Sequence, residues 1–259
     1  MRRILITGGN SGMGRSAAEL FLQHGDMVTV TSRSVEKAER MLIELAAYTD
    51  AGMLHFCRCD SSKADDVERM RAFVETRMGG CDVLVNSAAV FIGGELHTVS
   101  EADYDLLMDI DVKGVFLTSR AVLPGMLAQG GGALIAVSSL AGVRGNYNCP
   151  IYCAAKAAVN NMTRCMALDY GTRGIRANAV CPSATQTDMF LCGSTREVVD
   201  AFHRQNPMGR ISTPEEIARL VFFLASDDAS FINGQCISID GGLSAWAGEP
   251  RQDKTEQRK

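Results

Sequence analysis

No stretch of this chain is basic enough to grip a nucleic-acid backbone, and no apolar run is long enough to span a bilayer. Lysine and arginine total 26 against 30 aspartates and glutamates, a net charge of −4. Nucleic-acid surfaces carry clustered positive charge, so that class is excluded. A membrane span needs about 20 apolar residues, which no segment supplies. Met1-Arg2-Arg3 precedes only three apolar residues before Thr7-Gly8, too few for a secretory signal. The four histidines, His24, His55, His97 and His203, lack ligand spacing, so no metal site is expected. Nine cysteines are scattered with no Cys-x-x-Cys among them, and some sit in apolar runs such as Ala179-Val180-Cys181. Such cysteines behave as small hydrophobes. An odd, dispersed set fits reduced thiols in a cytoplasm rather than a disulfide framework.

What is present is ordinary globular material: 46% hydrophobic and 22% charged residues over 259 positions, enough for one sizeable core. Short apolar runs alternate with helical patterns. Strands are expected at 3–6, 28–31, 54–59, 82–86, 133–137, 175–181 and 236–240. Val83-Leu84-Val85 is apolar throughout, as in a strand covered on both faces. Helices are expected at 35–47, 64–77, from Ser100 toward Met126, from Tyr152 to about Tyr170, and from a Thr213-Pro214-Glu215-Glu216 start to Ser226. On the Tyr152 helix, Val159, Met162 and Met166 recur at helical spacing. Repeated βα units imply an α/β, Rossmann-type, doubly wound and mostly parallel seven-stranded sheet with helices on both faces. Residues 1–246 form the expected catalytic domain, and 247–259 a polar, disordered tail.

Two motifs carry chemistry. After the first strand comes Gly8-Gly9-Asn10-Ser11-Gly12-Met13-Gly14, followed by a helical pattern with Ala17, Ala18, Leu20 and Phe21. Glycines let a backbone approach a pyrophosphate, and the helix N-terminus offers unpaired N–H groups. The spacing is G-x-x-x-G-x-G, and a plain surface turn is the bland alternative. The second motif is Tyr152 with Lys156 four residues on, one helix face apart, and Ser139 thirteen residues upstream. A cation beside a phenol favours the phenolate, which suits proton transfer near neutrality. Alone, such a pair is better explained by a solvated helix surface.

Together, Thr7-Gly8-x-x-x-Gly12-x-Gly14, Ser139, Tyr152-x-x-x-Lys156 and the closing Gly209-Arg210, Pro214-Glu215-Glu216 and Asp240-Gly241-Gly242 resemble the short-chain dehydrogenase/reductase family. The likeness runs over residues 3 to 244 and is nearest to the single-domain branch that includes 3-oxoacyl-carrier-protein reductases. It implies an NAD(P)-dependent oxidoreductase acting on a carbonyl or secondary alcohol. Tyr152 would exchange the oxygen-bound proton, Ser139 would hold the substrate oxygen, and Lys156 would support Tyr152 and the nicotinamide ribose. Gly8, Asn10, Ser11, Gly12, Met13 and Gly14 would cradle the diphosphate. Asp60 matches the adenine contact, or caps the next helix with Ser61. Asn86 and Ala88 match the cleft-lining end of strand four, and Thr187 matches the threonine that meets the carboxamide. Tetramers or dimers through the two long helices are common in the family.

Departures from the pattern refine the expectation. Asn-Asn-Ala-Gly becomes Asn86-Ser87-Ala88-Ala89, and Asn-Pro-Gly becomes Cys181-Pro182-Ser183. The asparagine expected before Val112-Lys113-Gly114 is Asp111, whose backbone carbonyl keeps the family role while its carboxylate alters the site's titration. Ser32-Arg33 stands where NAD-preferring members carry an acid. A guanidinium attracts a 2′-phosphate, so NADP is favoured over NAD, unless Arg33 merely faces solvent. Residues 128–133 carry no lysine or arginine for an acidic carrier protein, although Arg173 is available. The substrate is therefore expected to be a free small ketone or alcohol. Met189, Phe190 and Leu191 lie in a segment, 184–198, that reads as a substrate lid or equally as core. A dinucleotide-binding regulator that has lost the chemistry is the rival from another class. An epimerase would need a longer C-terminal region.

Overall fold

The computed structural model describes residues 1–245 and Ala247; the expected polar tail otherwise falls outside the described residues. Seven strands form one sheet: β1 Arg3–Thr7, β2 Met27–Ser32, β3 Leu54–Arg58, β4 Val83–Asn86, β5 Gly132–Val137, β6 Ile175–Pro182 and β7 Cys236–Ile239. Their order is β3-β2-β1-β4-β5-β6-β7, and every described pairing is parallel.

Alternation along β1 decides which layer each residue joins. Ile4 and Ile6 pack with α1 (Gly12–Gln23) and with a late helix, Pro214–Leu224. Leu5 turns to the other face, with Leu84 and Leu134, against α4 (Ala64–Met78) and α6 (Gly114–Gln129). Between α1 and α4 lie α2 (Val35–Glu44) and the short α3 (Ala46–Asp50), so the single helix expected at 35–47 is interrupted at Leu45. Ser34 caps α2 by accepting from Lys37 N. Ser100 caps α5 (Glu101–Met108) by accepting from Asp103 N, as its spacing predicted. The remaining helices are α7 (Pro150–Tyr170), α8 (Asp188–Leu191), α9 (Arg196–Gln205) and α10 (Pro214–Leu224); a capping box at Thr213 and Glu216 opens α10.

One departure bears on function. The helix expected from Ser100 to Met126 is broken by a π-helical turn, Asp109–Lys113, between α5 and α6. Such a turn fits one extra residue into a helix and re-aims what it carries. Here it buries Ile110 and Asp111. No helix among the described residues is long and apolar enough to cross a membrane.

Candidate active site

β1 runs to β2 on one side and β4 on the other, and crossovers leave in opposite directions at that point. In such sheets a crevice opens beyond the C-terminal strand ends. A cleft of about 490 Å³ lies here, lined by Gly8, Asn10, Ser11, Gly12, Met13, Ser32, Arg33, Asp60, Ala88 and Thr187. Ten of the residues expected to bind cofactor thus meet in one place. Gly8 has φ 66°, and a Cβ there would lie 2.9 Å from the Ala88 backbone. Only glycine fits such an approach. Gly14 stands behind the cleft: a Cβ would lie 2.6 Å from the Gly8 carbonyl oxygen, so it seats α1 on the turn. With the α1 N-terminus opening from Ser11, this bare backbone cradle fits the diphosphate of a dinucleotide.

Asn10 fixes the far end. Its amide donates to Ser32 Oγ (2.7 Å) and to the Ser34 carbonyl (3.1 Å), pinning the β2–α2 loop to the glycine turn. Lys37, which the sequence reading missed, lines the same cleft and pairs with Asp188 at 3.5 Å. It belongs to the first turn of α2, two residues inside a helix that begins beside Ser32-Arg33. That placement was the available signal. Asp60 accepts from the backbone and hydroxyl of Ser62, not from Ser61 (3.1 and 2.7 Å). Burial raises its pKa, but these bonds and the Arg33 charge outweigh burial and leave it lowered. Asn86 is at the end of β4, but its side chain bonds Thr118 and Ser119 of α6 (2.7 and 3.2 Å) and so faces away from the cleft.

The other expected residues gather on β5, α7 and the π turn. Ser138 Oγ donates to the Lys156 carbonyl (3.3 Å), tying the end of β5 to α7. Ser139 opens a helical turn, Leu140–Gly142, its hydroxyl accepting from Ala141 N at 3.1 Å. Gly142 lets that turn touch α7: a Cβ would lie 2.6 Å from the Lys156 carbonyl carbon and 2.8 Å from Asn160 Nδ2. Gly142→Ala should therefore push Ser139 away from α7. It should cost about 1–3 kcal/mol of stability and lower turnover, read by urea unfolding and steady-state kinetics; an alanine variant with native values would refute this spacer role.

Tyr152 is half-buried, and Phe91 packs edge-on against it, ring centroids 5.1 Å apart. Lys156 Nζ is 5.5 Å from the centre of the Tyr152 ring, yet 2.9 Å from Asp111 Oδ2. Lys156 is 3% and Asp111 0% exposed, and Asp111 Oδ2 has no aligned hydrogen bond, so this contact is ionic. Asp111 Oδ1 accepts from Val90 N at 2.8 Å. Burial pulls the Lys156 pKa down; the Asp111 charge, then the Tyr152 oxygen, outweigh burial and leave it raised above 10.5. Thus the Asp111 carboxylate is turned onto Lys156 on one side and the Val90 backbone on the other. This pair adjoins the cleft through the chain itself: Ala89 and Ile110 line the cleft, and their neighbours Val90 and Asp111 share a hydrogen bond.

The lid segment divides. Met189 lines the cleft, whereas Phe190 packs on Phe202 of α9 with centroids 5.2 Å apart. Leu191 is 44% exposed. Arg173 is held by its own helix end, donating to the Asp169 carbonyl (2.8 Å) with its guanidinium 4.6 Å from the Tyr170 ring centre.

A glycine-cradled dinucleotide cleft beside a Ser–Tyr–Lys cluster defines an NAD(P)-dependent oxidoreductase acting on CH–OH groups. The chain belongs to the short-chain dehydrogenase/reductase family. A family model described as enoyl-(acyl carrier protein) reductase matches residues 8–244. The chain is 38% identical to meso-2,3-butanediol dehydrogenase of Serratia marcescens over 248 residues, covering 96% of each protein. It is 36% identical to a 3-oxoacyl-acyl-carrier-protein reductase of Thermotoga maritima over 244 residues, covering 92% of this chain and 96% of that one. A crystal structure of a gluconate 5-dehydrogenase from Burkholderia cenocepacia J2315, in complex with NADP and tartrate, superposes with TM-score 0.88 at 29% identity. The match covers 95% of this chain and 96% of that one.

Proposed function

We propose that the protein interconverts a small ketone and its secondary alcohol with NADP(H), in a cytoplasm, with Tyr152 as the acid/base. The cofactor, when bound, supplies or accepts the hydride. In the reducing direction, Tyr152 Oη gives its proton to the substrate oxygen as charge develops there, and Ser139 Oγ donates a hydrogen bond to that oxygen. Lys156 carries a buried positive charge 5.5 Å from the centre of the Tyr152 ring and would hold the nicotinamide ribose hydroxyls; Asp111 positions it. Phe91 packs edge-on against Tyr152 and orients its ring. The observation that carries this reading is the placement of Tyr152 and Lys156 on α7, directly against the turn that holds Ser139. Similarity to the butanediol dehydrogenase supports a small hydroxyketone or diketone as the substrate class.

The NADP preference rests on Ser32, Arg33 and Lys37 lining one end of the cleft. The Lys37–Asp188 pair is 52% and 79% exposed at its side chains, so it holds Lys37 only weakly. Charge-assisted bonds to a phosphate are stronger. Arg33→Ala and Lys37→Ala should each weaken NADPH binding roughly tenfold or more and leave NADH binding unchanged. Titration of cofactor fluorescence reads both, and a parent protein that binds NADH more tightly than NADPH would end this assignment. Exposed Phe116, Leu168 and Phe231 favour a homo-oligomer, tetramer or dimer.

Two other readings have specific support. Likeness to the Thermotoga reductase favours a 3-oxoacyl-carrier-protein substrate; residues 128–133 without basic charge and an engaged Arg173 oppose it. Capture of the Lys156 ammonium by Asp111 favours a dinucleotide-binding regulator without turnover. Oxidation of NADPH with a panel of small ketones and 3-oxoacyl thioesters separates all three.

A further inference from the structure

Cys149 and Cys153 flank Tyr152 in the first turn of α7. Their sulfurs lie 3.8 Å apart, and both thiols are free. Cys149 is the N-cap residue and is 1% exposed; Cys153, one turn on, is partly exposed. We propose that this pair is an oxidative modification site, closing to a disulfide under peroxide and switching the Tyr152 site off; the switch presupposes the reductase function proposed above.

The geometry assigns each thiol a role. Cys153 is the one that solvent reaches. Its sulfur attacks one oxygen of hydrogen peroxide, the O–O bond breaks, and a sulfenic acid and a water form. Cys149 then attacks the sulfenic sulfur. The S–O bond breaks, and the departing hydroxide takes the Cys149 proton as a second water. Two thiols are oxidised by two electrons, and one peroxide is reduced to two waters. Burial, and then the neighbouring Cys153 sulfur, push the Cys149 thiol up to about 12, so it keeps its proton until the sulfenic acid appears. Proximity compensates for that weak acidity.

The switch follows from what closure requires. The two sulfurs stand 3.8 Å apart, whereas a disulfide holds them about 2 Å apart. Closing the bond therefore draws the two residues together. Cys149 is the end that gives, because its backbone (φ −152°, ψ 50°) is non-helical and joins α7 only through its carbonyl, which accepts from Cys153 N at 3.0 Å. It follows Asn148, the one described non-glycine residue with a positive φ, 60°. The Asn148 carbonyl accepts from Gly94 N at 2.7 Å, close to Phe91, which packs on Tyr152. Drawing Cys149 inward thus strains the turn that carries the phenol and pulls on the wall beside it. Pro150 at the first helical position leaves that turn with no N–H to lose there.

Both cysteines fall in one tryptic peptide, residues 145–156, with no other cysteine in it. Treating the full chain with hydrogen peroxide should remove two hydrogen atoms from this peptide's mass. Ketone turnover should fall about 10²-fold, and dithiothreitol should restore both. Cys149→Ser, which puts a good capping residue at the helix start, and Cys153→Ser should each retain parent turnover and lose the reversible response. A peptide that stays reduced, or gains oxygen at Cys153 without linkage, overturns the proposal; so does a linked peptide with unchanged turnover. If no ketone is reduced at all, the function falls, while the mass shift and a dithiothreitol-reversible change in the near-ultraviolet signal of Tyr152, absent in Tyr152→Phe, still decide the switch.

Discussion

Tyr152→Phe reduces no ketone at a useful rate, falling about 10²–10⁴-fold below the parent, the range for loss of a positioned acid/base, yet binds NADPH as the parent does. The substitution removes a single oxygen. The ring remains, and with it the edge-on contact to Phe91 and the apolar setting of Leu107, Ile151 and Ala155. Stability should therefore be unchanged, and the loss falls on kcat. Cofactor titration beside steady-state rates separates a missing proton donor from a damaged cleft. Retained turnover in the phenylalanine variant would remove Tyr152 from the chemistry. Lost turnover together with lost NADPH binding would show structural damage.

Asp111 should give the largest effect on stability. Its carboxylate and the Lys156 ammonium are both buried, 2.9 Å apart. Removing one member of such a pair strands the other charge and costs about 3–5 kcal/mol. Asp111→Ala should lose that much in urea unfolding at neutral pH. Asp111→Asn keeps an acceptor for Val90 N and so loses less. In the parent, the Lys156 pKa is raised above 10.5. Its contribution is complete below the unfolded lysine value and lost as pH rises through the folded one. Without the carboxylate, burial loses its largest counterweight and the Lys156 pKa falls. The stability difference between parent and Asp111→Asn should then be largest near neutrality and shrink as the pH nears the unfolded lysine value. The alkaline limb of the pH–rate profile should move to lower pH for the same reason. Superimposable pH–rate profiles would mean that Asp111 does not set the protonation of Lys156.

The parts of the site that were legible in the sequence are those whose geometry is local. Gly8, Gly12 and Gly14 occupy a turn between a strand and a helix, so their spacing already specified a cradle. Tyr152 and Lys156 are one helical turn apart and stay so wherever the helix docks. Ser100 and Thr213 announced helix starts because a cap bonds within three residues. Other features needed segments that are distant along the chain. Asn86 matched the pattern of a cleft residue, yet α6 takes its amide. Lys37 entered the cleft only because Asn10 pins the loop before α2. Gly142 carries no local signal, because what requires it is the Lys156 backbone on a separate helix.

By itself the sequence determined the order of the seven strands, the glycine cradle and the one-turn spacing of Tyr152 and Lys156, since side-chain periodicity and backbone preference act over a few neighbours; Ser139 came from the family resemblance. Only the tertiary structure decided where the charge of Lys156 goes. A π-helical turn, which no local pattern betrayed, swings Asp111 into the interior 45 positions upstream of Lys156 and places it against α7. Packing sets that contact: a buried ammonium must find a counter-charge, and which one it meets depends on how two helices are stacked rather than on what either spells out.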